Sequence, residues 1–251
     1  CDRRLGLSDW NQEVIWNVEL SQLLRPPFTS QPGNAQRVAA LQAQIDRLHD
    51  GINTNAAALA RANFQKQIAH RPDDFMLLTD YAEFLQSAGD LPGALDAVRS
   101  VRKLIPQDYV SLYQLGHVLT LMGRWSEAEP YLRAAVDQHT SFPTCWYELG
   151  NAQAAQQEYA AALTSLAIAR RQSPQAEPPV FLTGVIHAQQ GRPAEALTCY
   201  REAARLARHD WKIHFELGGV LVSANDLEAA LTEFAAAVKL NPGNPQTHYK
   251  H

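Results

Sequence analysis

The sequence predicts an all-α chain built as a solenoid of stacked helical hairpins, and three observations carry that prediction. "YELG" at 147–150 has near copies "YQLG" at 113–116, "FLTG" at 181–184 and "FELG" at 215–218, and their glycines stand 34 residues apart. Rows of 34 residues laid from Phe75 run five times without a gap, and in each row two helix-period segments flank a turn signal. Small residues fill two columns of these rows: Ala82, Gly116, Gly150, Gly184 and Gly218 in the eighth, and Ala94, Ala128, Ala162, Ala196 and Ala230 in the twentieth.

The first 34 residues read as a helix plus a linker. Ser8 can cap a helix running through about Arg25, which the proline-rich "PPFTSQPGN" at 26–34 terminates. Trp10, Val14 and Val18 form one apolar stripe and Trp16, Leu20 and Leu23 another, a pattern that asks for burial on two sides. Residues 35–74 then read as a degenerate hairpin capping the stack. "AQRVAALQAQIDRL" has helical period, and Ala60, Phe64 and Pro72 fall in the columns that the later rows define, although the first helix is out of register.

Residues 75–244 are the five regular rows. Their turns are "AGD" at 88–90, "MGR" at 122–124, "QQE" at 156–158, "QGR" at 190–192 and "AND" at 224–226, where Gly or Asn supplies the left-handed residue that ends a helix. Pro106, Pro174 and Pro242 stop the second helix of three rows. Larger apolar residues face the small columns: Leu78, Leu112, Trp146 and Val180 in column four, and Val98, Leu132, Leu166, Tyr200 and Phe234 in column twenty-four. Small opposite large lets facing helices interdigitate. Residues 245–251 read as the start of a further helix that stops at "PQTHYKH".

These residues resemble the tetratricopeptide (TPR) repeat family, with its 34-residue period and W-x2-L-G-x2-Y…A-x3-F…P pattern. "WYELG" at 146–150 with Ala162 and Pro174 is the nearest match. The resemblance implies a right-handed superhelical solenoid. Departures are local: Thr140 and Arg208 stand for the closing proline, Thr183 for the leucine of column seven, and His214 for the aromatic of column four.

A helix turns about 100° per residue, so columns four, seven, eight and eleven form the packing face while five, nine and twelve form a stripe beside it. The resemblance implies that this stripe lines a concave, partner-binding groove. Column five reads Thr79, Tyr113, Tyr147, Phe181 and Phe215; column nine reads Glu83, His117, Asn151, Val185 and Gly219. The candidate groove is therefore Tyr113, His117, Tyr147, Asn151, Phe181, Val185 and Phe215. With column twelve included, the only formal charge in the stripe is Glu83, so the groove grades from polar to apolar along the chain. TPR proteins that grip C-terminal carboxylates resemble one another in groove Lys and Arg, and columns five and nine contain neither. A neutral, partly apolar peptide or protein segment fits this stripe. Both ligand contact and packing on the neighbouring helix account for the column-five rings.

Other functions find little support. There is no GxSxG, HExxH or GxxxxGK[ST], so neither a catalytic residue nor a cofactor is expected. Three cysteines without CxxC spacing indicate no zinc site, and His248 and His251 make at most a two-imidazole face. The formal charge is −4 and the basic residues are scattered, which argues against nucleic acid as partner. No apolar run is long enough to span a bilayer.

Methionine stands only at 76 and 122, so Cys1 is not a translation start and a processed or partial piece of a longer protein is expected. In a sharper version, Cys1 is the lipid-modified first residue of a lipoprotein. The "LSDWNQ…RPPFT" segment is similar to connectors before TPR arrays in large bacterial proteins, which implies an exported or envelope location. Three functions follow: a non-catalytic scaffold binding a segment in its groove, a structural protein whose copies stack end to end into filaments, and the accessory array of a larger enzyme. Another copy of the chain is thus among the expected partners.

Overall fold

The computed structural model of the protein describes residues 39–40, 56–106 and 108–242. The chain divides into two compact units, Cys1–Leu77 and Leu78–His251. The expected helix over 8–25, the proline-rich linker and the helix start at 245 lie outside the described residues, and of the out-of-register segment before 56 only the helical 39–40 is described. In the first unit a helix, α1, spans 56–70. Asp74 follows it and accepts a hydrogen bond from Leu77 N at 3.1 Å, capping the next helix.

From Phe75 onward the described residues form ten helices: α2 (Phe75–Ser87), α3 (Leu91–Leu104), α4 (Tyr109–Leu121), α5 (Trp125–Gln138), α6 (Pro143–Ala155), α7 (Tyr159–Gln172), α8 (Glu177–Gln189), α9 (Pro193–Leu206), α10 (Trp211–Ser223) and α11 (Leu227–Leu240). Among the described residues there is no strand. From α3 to α11 each helix packs on the next, with α4–α5, α6–α7, α8–α9 and α10–α11 as the tightest pairs, and Ala82 and Leu85 of α2 share a buried cluster with Ala94 and Val98 of α3 to make the first of five hairpins. The first helices also lie side by side, α4 against α6 and α6 against α8. The second unit is thus an all-α, right-handed solenoid.

The small columns are where the two helices of a hairpin meet. A Cβ added to Gly116 would lie 2.6 Å from Leu132 Cγ, and one on Gly150 would lie 2.9 Å from Leu166 Cγ. At Gly184 and Gly218 the obstacle is the Tyr200 ring at 2.9 Å and the Phe234 ring at 2.7 Å. Column eight therefore faces column twenty-four in four rows. In the first row the large partner is only valine, Val98, and there column eight carries Ala82, both fully buried.

Turns form as the residues dictate, with one substitution of role. Gly89, Gly123 and Gly191 have φ of 77°, 71° and 70°, and Asn225 has 60°. In "QQE" the left-handed residue is Gln157 at φ 64°, a conformation that costs a side chain about a kcal/mol and that the two neighbouring helices hold in place. Asp90, Asp108, Asp210 and Asp226 cap α3, α4, α10 and α11 with side-chain bonds to backbone N–H groups.

All five second helices end at the same column with or without a proline. Ile105, His139, Ser173, Ala207 and Asn241 have φ between −127° and −140° and leave the helix in extended conformation. Where proline is missing, the next row supplies a different fastening. Trp146 Nε1 donates to the Thr140 carbonyl at 2.8 Å, and His214, whose Nδ1 meets Glu233 Oε2 at 2.7 Å, brings Nε2 to 3.3 Å from the Arg208 carbonyl. Rows closed by Pro106 and Pro174 carry Leu112 and Val180 at that position, which have no side-chain donor. Two apparent departures from the repeat are one exchange.

Candidate functional site

The candidate groove residues come from the first helices alone: Tyr113 and His117 from α4, Tyr147 and Asn151 from α6, Phe181 and Val185 from α8, and Phe215 from α10. All seven are half-buried. Tyr113 and His117 stand one turn apart with centroids 5.7 Å apart and planes at 18°, and Phe142, the last residue of the same row, packs on Tyr113 at 4.7 Å. The other rings lean into the hairpins: Phe181 lies 5.5 Å from Tyr200, and Phe215 lies 5.8 Å from Phe234 and 6.4 Å from Trp211. Tyr113 belongs with the core of the first three rows, Tyr147 packs around Ala162, Leu166 and Ile186, and Phe181, Val185 and Phe215 gather around Tyr200 and Phe234. Each ring thus combines a packed edge with an exposed one. Asn151 makes no side-chain hydrogen bond among the described residues.

A residue outside the predicted set is at the centre of the polar end. Glu148, in column six, is buried and lies with Oε1 3.1 Å from His117 Nδ1, joining α6 to α4. The carboxylate is an acceptor, so Nδ1 carries the shared proton. Its negative field marks its neighbours. Burial and then Glu148 push the Tyr113 hydroxyl up to about 12, and the same two causes push the Cys145 thiol to about 12. The Tyr147 hydroxyl is raised by burial, then by Glu148 and by Glu177. Burial also raises Glu177 itself, with Asp210 adding repulsion. Column six reads Asp80, Gln114, Glu148, Leu182 and Glu216, polar in four rows of five. That polarity beside an apolar ring was the available signal. The groove is less neutral than columns five and nine alone suggest.

A cavity of about 240 Å³ opens beside Tyr147, between α6 and the start of α8; Pro143, Thr144, Tyr147, Glu148, Pro178 and Pro179 are among the residues lining it. A larger crevice of about 630 Å³ lies along α3 beneath Arg99, Arg102, Lys103 and Tyr131. Its charges are largely engaged: Arg99 pairs with Asp96, and Arg102 lies over the Tyr131 ring and donates to the Pro106 carbonyl. Among the described residues no group of three or more His, Cys, Asp or Glu is placed to hold a metal. No helix of the described residues is long and apolar enough to cross a membrane.

Comparison with known proteins agrees with this geometry. No curated protein matches the chain by sequence. Among solved structures, MamA from Desulfovibrio magneticus RS-1 is 19% identical with a TM-score of 0.60, covering 68% of this chain and 97% of that one. YrrB, described as a TPR protein with an unusual peptide-binding site, is 20% identical with a TM-score of 0.56, covering 74% of this chain and 96% of its own. PilF of Pseudomonas aeruginosa is 16% identical with a TM-score of 0.63, covering 71% and 81%. At such identities the likeness is one of fold. The tetratricopeptide repeat model matches residues 113–177 and 181–245, just over half of the sequence. With five hairpins in one register and small columns facing large ones, the chain belongs to the tetratricopeptide repeat family.

Proposed function

We propose that the protein is a non-catalytic scaffold whose concave face holds an extended, largely neutral and partly apolar peptide or protein segment. The observation that carries this reading is the set of four column-five rings, Tyr113, Tyr147, Phe181 and Phe215, each packed on one side and open on the other. Such rings offer apolar area at small entropic cost, about 0.5–1.5 kcal/mol each beyond their area burial. Asn151 adds donors and an acceptor for a bound backbone. YrrB, of similar fold, is described by its peptide-binding site.

The test is selection of random dodecapeptides displayed on phage, first against the intact chain and then against a variant with Tyr147→Ser and Phe181→Ser. Capture should be lost in the variant while its circular dichroism stays helical. Peptides that bind both proteins equally would sink the groove assignment.

A second reading is self-association of stacked copies. Leu227 and Leu231 on α11, the last described helix, are 57% and 54% exposed. Light scattering across a hundredfold concentration range separates the two, since head-to-tail contacts grow with concentration and do not close.

A further inference from the structure

The peptide-groove reading leaves one feature unexplained, a carboxylate buried beside the rings. Glu148 is 9% exposed, and among the described residues its single hydrogen bond is the one between its Oε1 and His117 Nδ1. A carboxylate has about four acceptor positions, and an ionised group removed from water is costly unless paired. Most of that capacity is unused. Glu177 opens α8 immediately before Pro178 and Pro179. Both carboxylates act on the Tyr147 hydroxyl.

The cavity beside Tyr147 reaches Glu148. Its walls include three prolines, Pro143, Pro178 and Pro179, with the Tyr147 side chain, and Glu148 contributes to its lining. No Lys or Arg lines it. The place therefore combines apolar walls, an aromatic side chain and a buried carboxylate with a single hydrogen-bond partner. That combination complements a side chain with a methylene stem and a terminal cation, because the stem packs on proline and ring while the charge meets carboxylate. Acidic and neutral polar side chains gain nothing from it.

We propose that the cavity beside Tyr147 is a subsite for one basic side chain, lysine or arginine, of an otherwise neutral peptide lying in the groove, with Glu148 as its counter-charge. The proposal rests on the groove reading and adds an anchor to it. It gives that reading a register: the basic residue sits between the third and fourth rows, and the flanking apolar residues reach Phe181 and Phe215 on one side and Tyr113 on the other.

The experiment is the same phage-displayed dodecapeptide selection, run on the intact chain, on Glu148→Gln and on Thr144→Lys. Thr144 is exposed, so its substitution places a resident cation at the cavity without disturbing the core. A fluorescein-labelled peptide from the selected pool is then compared by anisotropy with its copy carrying norleucine in place of the basic residue. The expected result is a pool enriched in lysine or arginine at one position, and a roughly tenfold weaker norleucine peptide, the worth of one charge-assisted hydrogen bond. In both variants that preference should vanish while neutral peptides still bind. A pool with no basic enrichment that still depends on Tyr147 and Phe181 overturns the subsite and leaves the groove. A basic preference undiminished in both variants also overturns the subsite, since the cation then sits elsewhere. An absence of selected peptides, or a pool indifferent to the two ring substitutions, overturns both.

Discussion

Gly116 shows what a single column of the repeat enforces. Its missing Cβ makes room for Leu132, whose Cγ would stand 2.6 Å from an added methyl, well inside any ordinary contact. Alanine there gains about 1 kcal/mol of helix propensity and loses about 1–3 kcal/mol to overpacking. Because the obstacle is a fully buried leucine branch rather than a flexible tip, the loss should win. Gly116→Ala is therefore expected to lower the unfolding free energy measured in urea. Leu132→Val should recover part of that loss in the Gly116→Ala background although it is destabilising alone, reproducing the Ala82 and Val98 pair of the first row. Additive effects in the cycle would mean that the two positions do not share one space. At Gln157 the same scale runs the other way: the sequence offered no glycine or asparagine, the backbone adopts φ 64° regardless, and local propensity yields to packing on both sides of the turn.

At the scale of the element, the period, the hairpins and their turns were legible because each follows from residue type at a fixed interval. What single columns did not show was exchange between columns. Thr140 and Arg208 look like losses of a helix-stopping proline, and His214 looks like loss of an aromatic, until Trp146 Nε1 and His214 Nε2 are seen against the Thr140 and Arg208 carbonyls. Glu148 escaped for a related reason: its partner, His117, is 31 residues away, and a polar column between ring and core reads as solvated until the neighbouring helix is in place. The exchange makes a prediction at this scale. Trp146→Phe removes the indole's bond to the Thr140 carbonyl, which still accepts from Gln172 Nε2 at 2.7 Å, and should cost about 1 kcal/mol. Thr140→Pro suits the extended backbone before it, where His139 has φ −135° and ψ 87°, close to Ser173 before Pro174. Proline there restricts the unfolded chain and should return about 0.4–1 kcal/mol, and Trp146→Phe should cost less in the Thr140→Pro protein than alone. Urea denaturation of the four proteins gives the coupling, and a coupling of zero would mean that proline and indole fasten the loop independently.

A stack of repeats is stabilised by neighbours, so its stability is a sum of hairpin and interface contributions rather than the property of one core. In the second unit the largest buried cluster runs from Ala82 to Ala152, through the first two hairpins and into the third. Farther along, the buried residues fall into smaller groups, and between α6 and α7 Gln153 and Ser165 share a buried hydrogen bond, at positions where the first two rows carry Leu85 with Ala97 and Leu119 with Tyr131. The last described hairpin has one neighbouring hairpin among the described residues and leaves Val222, Leu227 and Leu231 exposed. Opening should therefore begin there. In hydrogen exchange read by mass spectrometry, amides of α4 to α6 are expected to be the slowest and those of α11 the fastest, with α10 between. The gradient also distinguishes the two functional readings. If the exposed leucines meet another copy, protection of α11 rises with protein concentration and falls on dilution, whereas in a monomeric scaffold it is the same at every concentration. In the scaffold, a selected peptide should instead slow exchange in the first helices that carry the rings, α4, α6, α8 and α10, and leave α11 unchanged. Protection that is uniform from α4 to α11 without concentration dependence would show that the hairpins open as one cooperative unit, and the additive picture of this stack would fail.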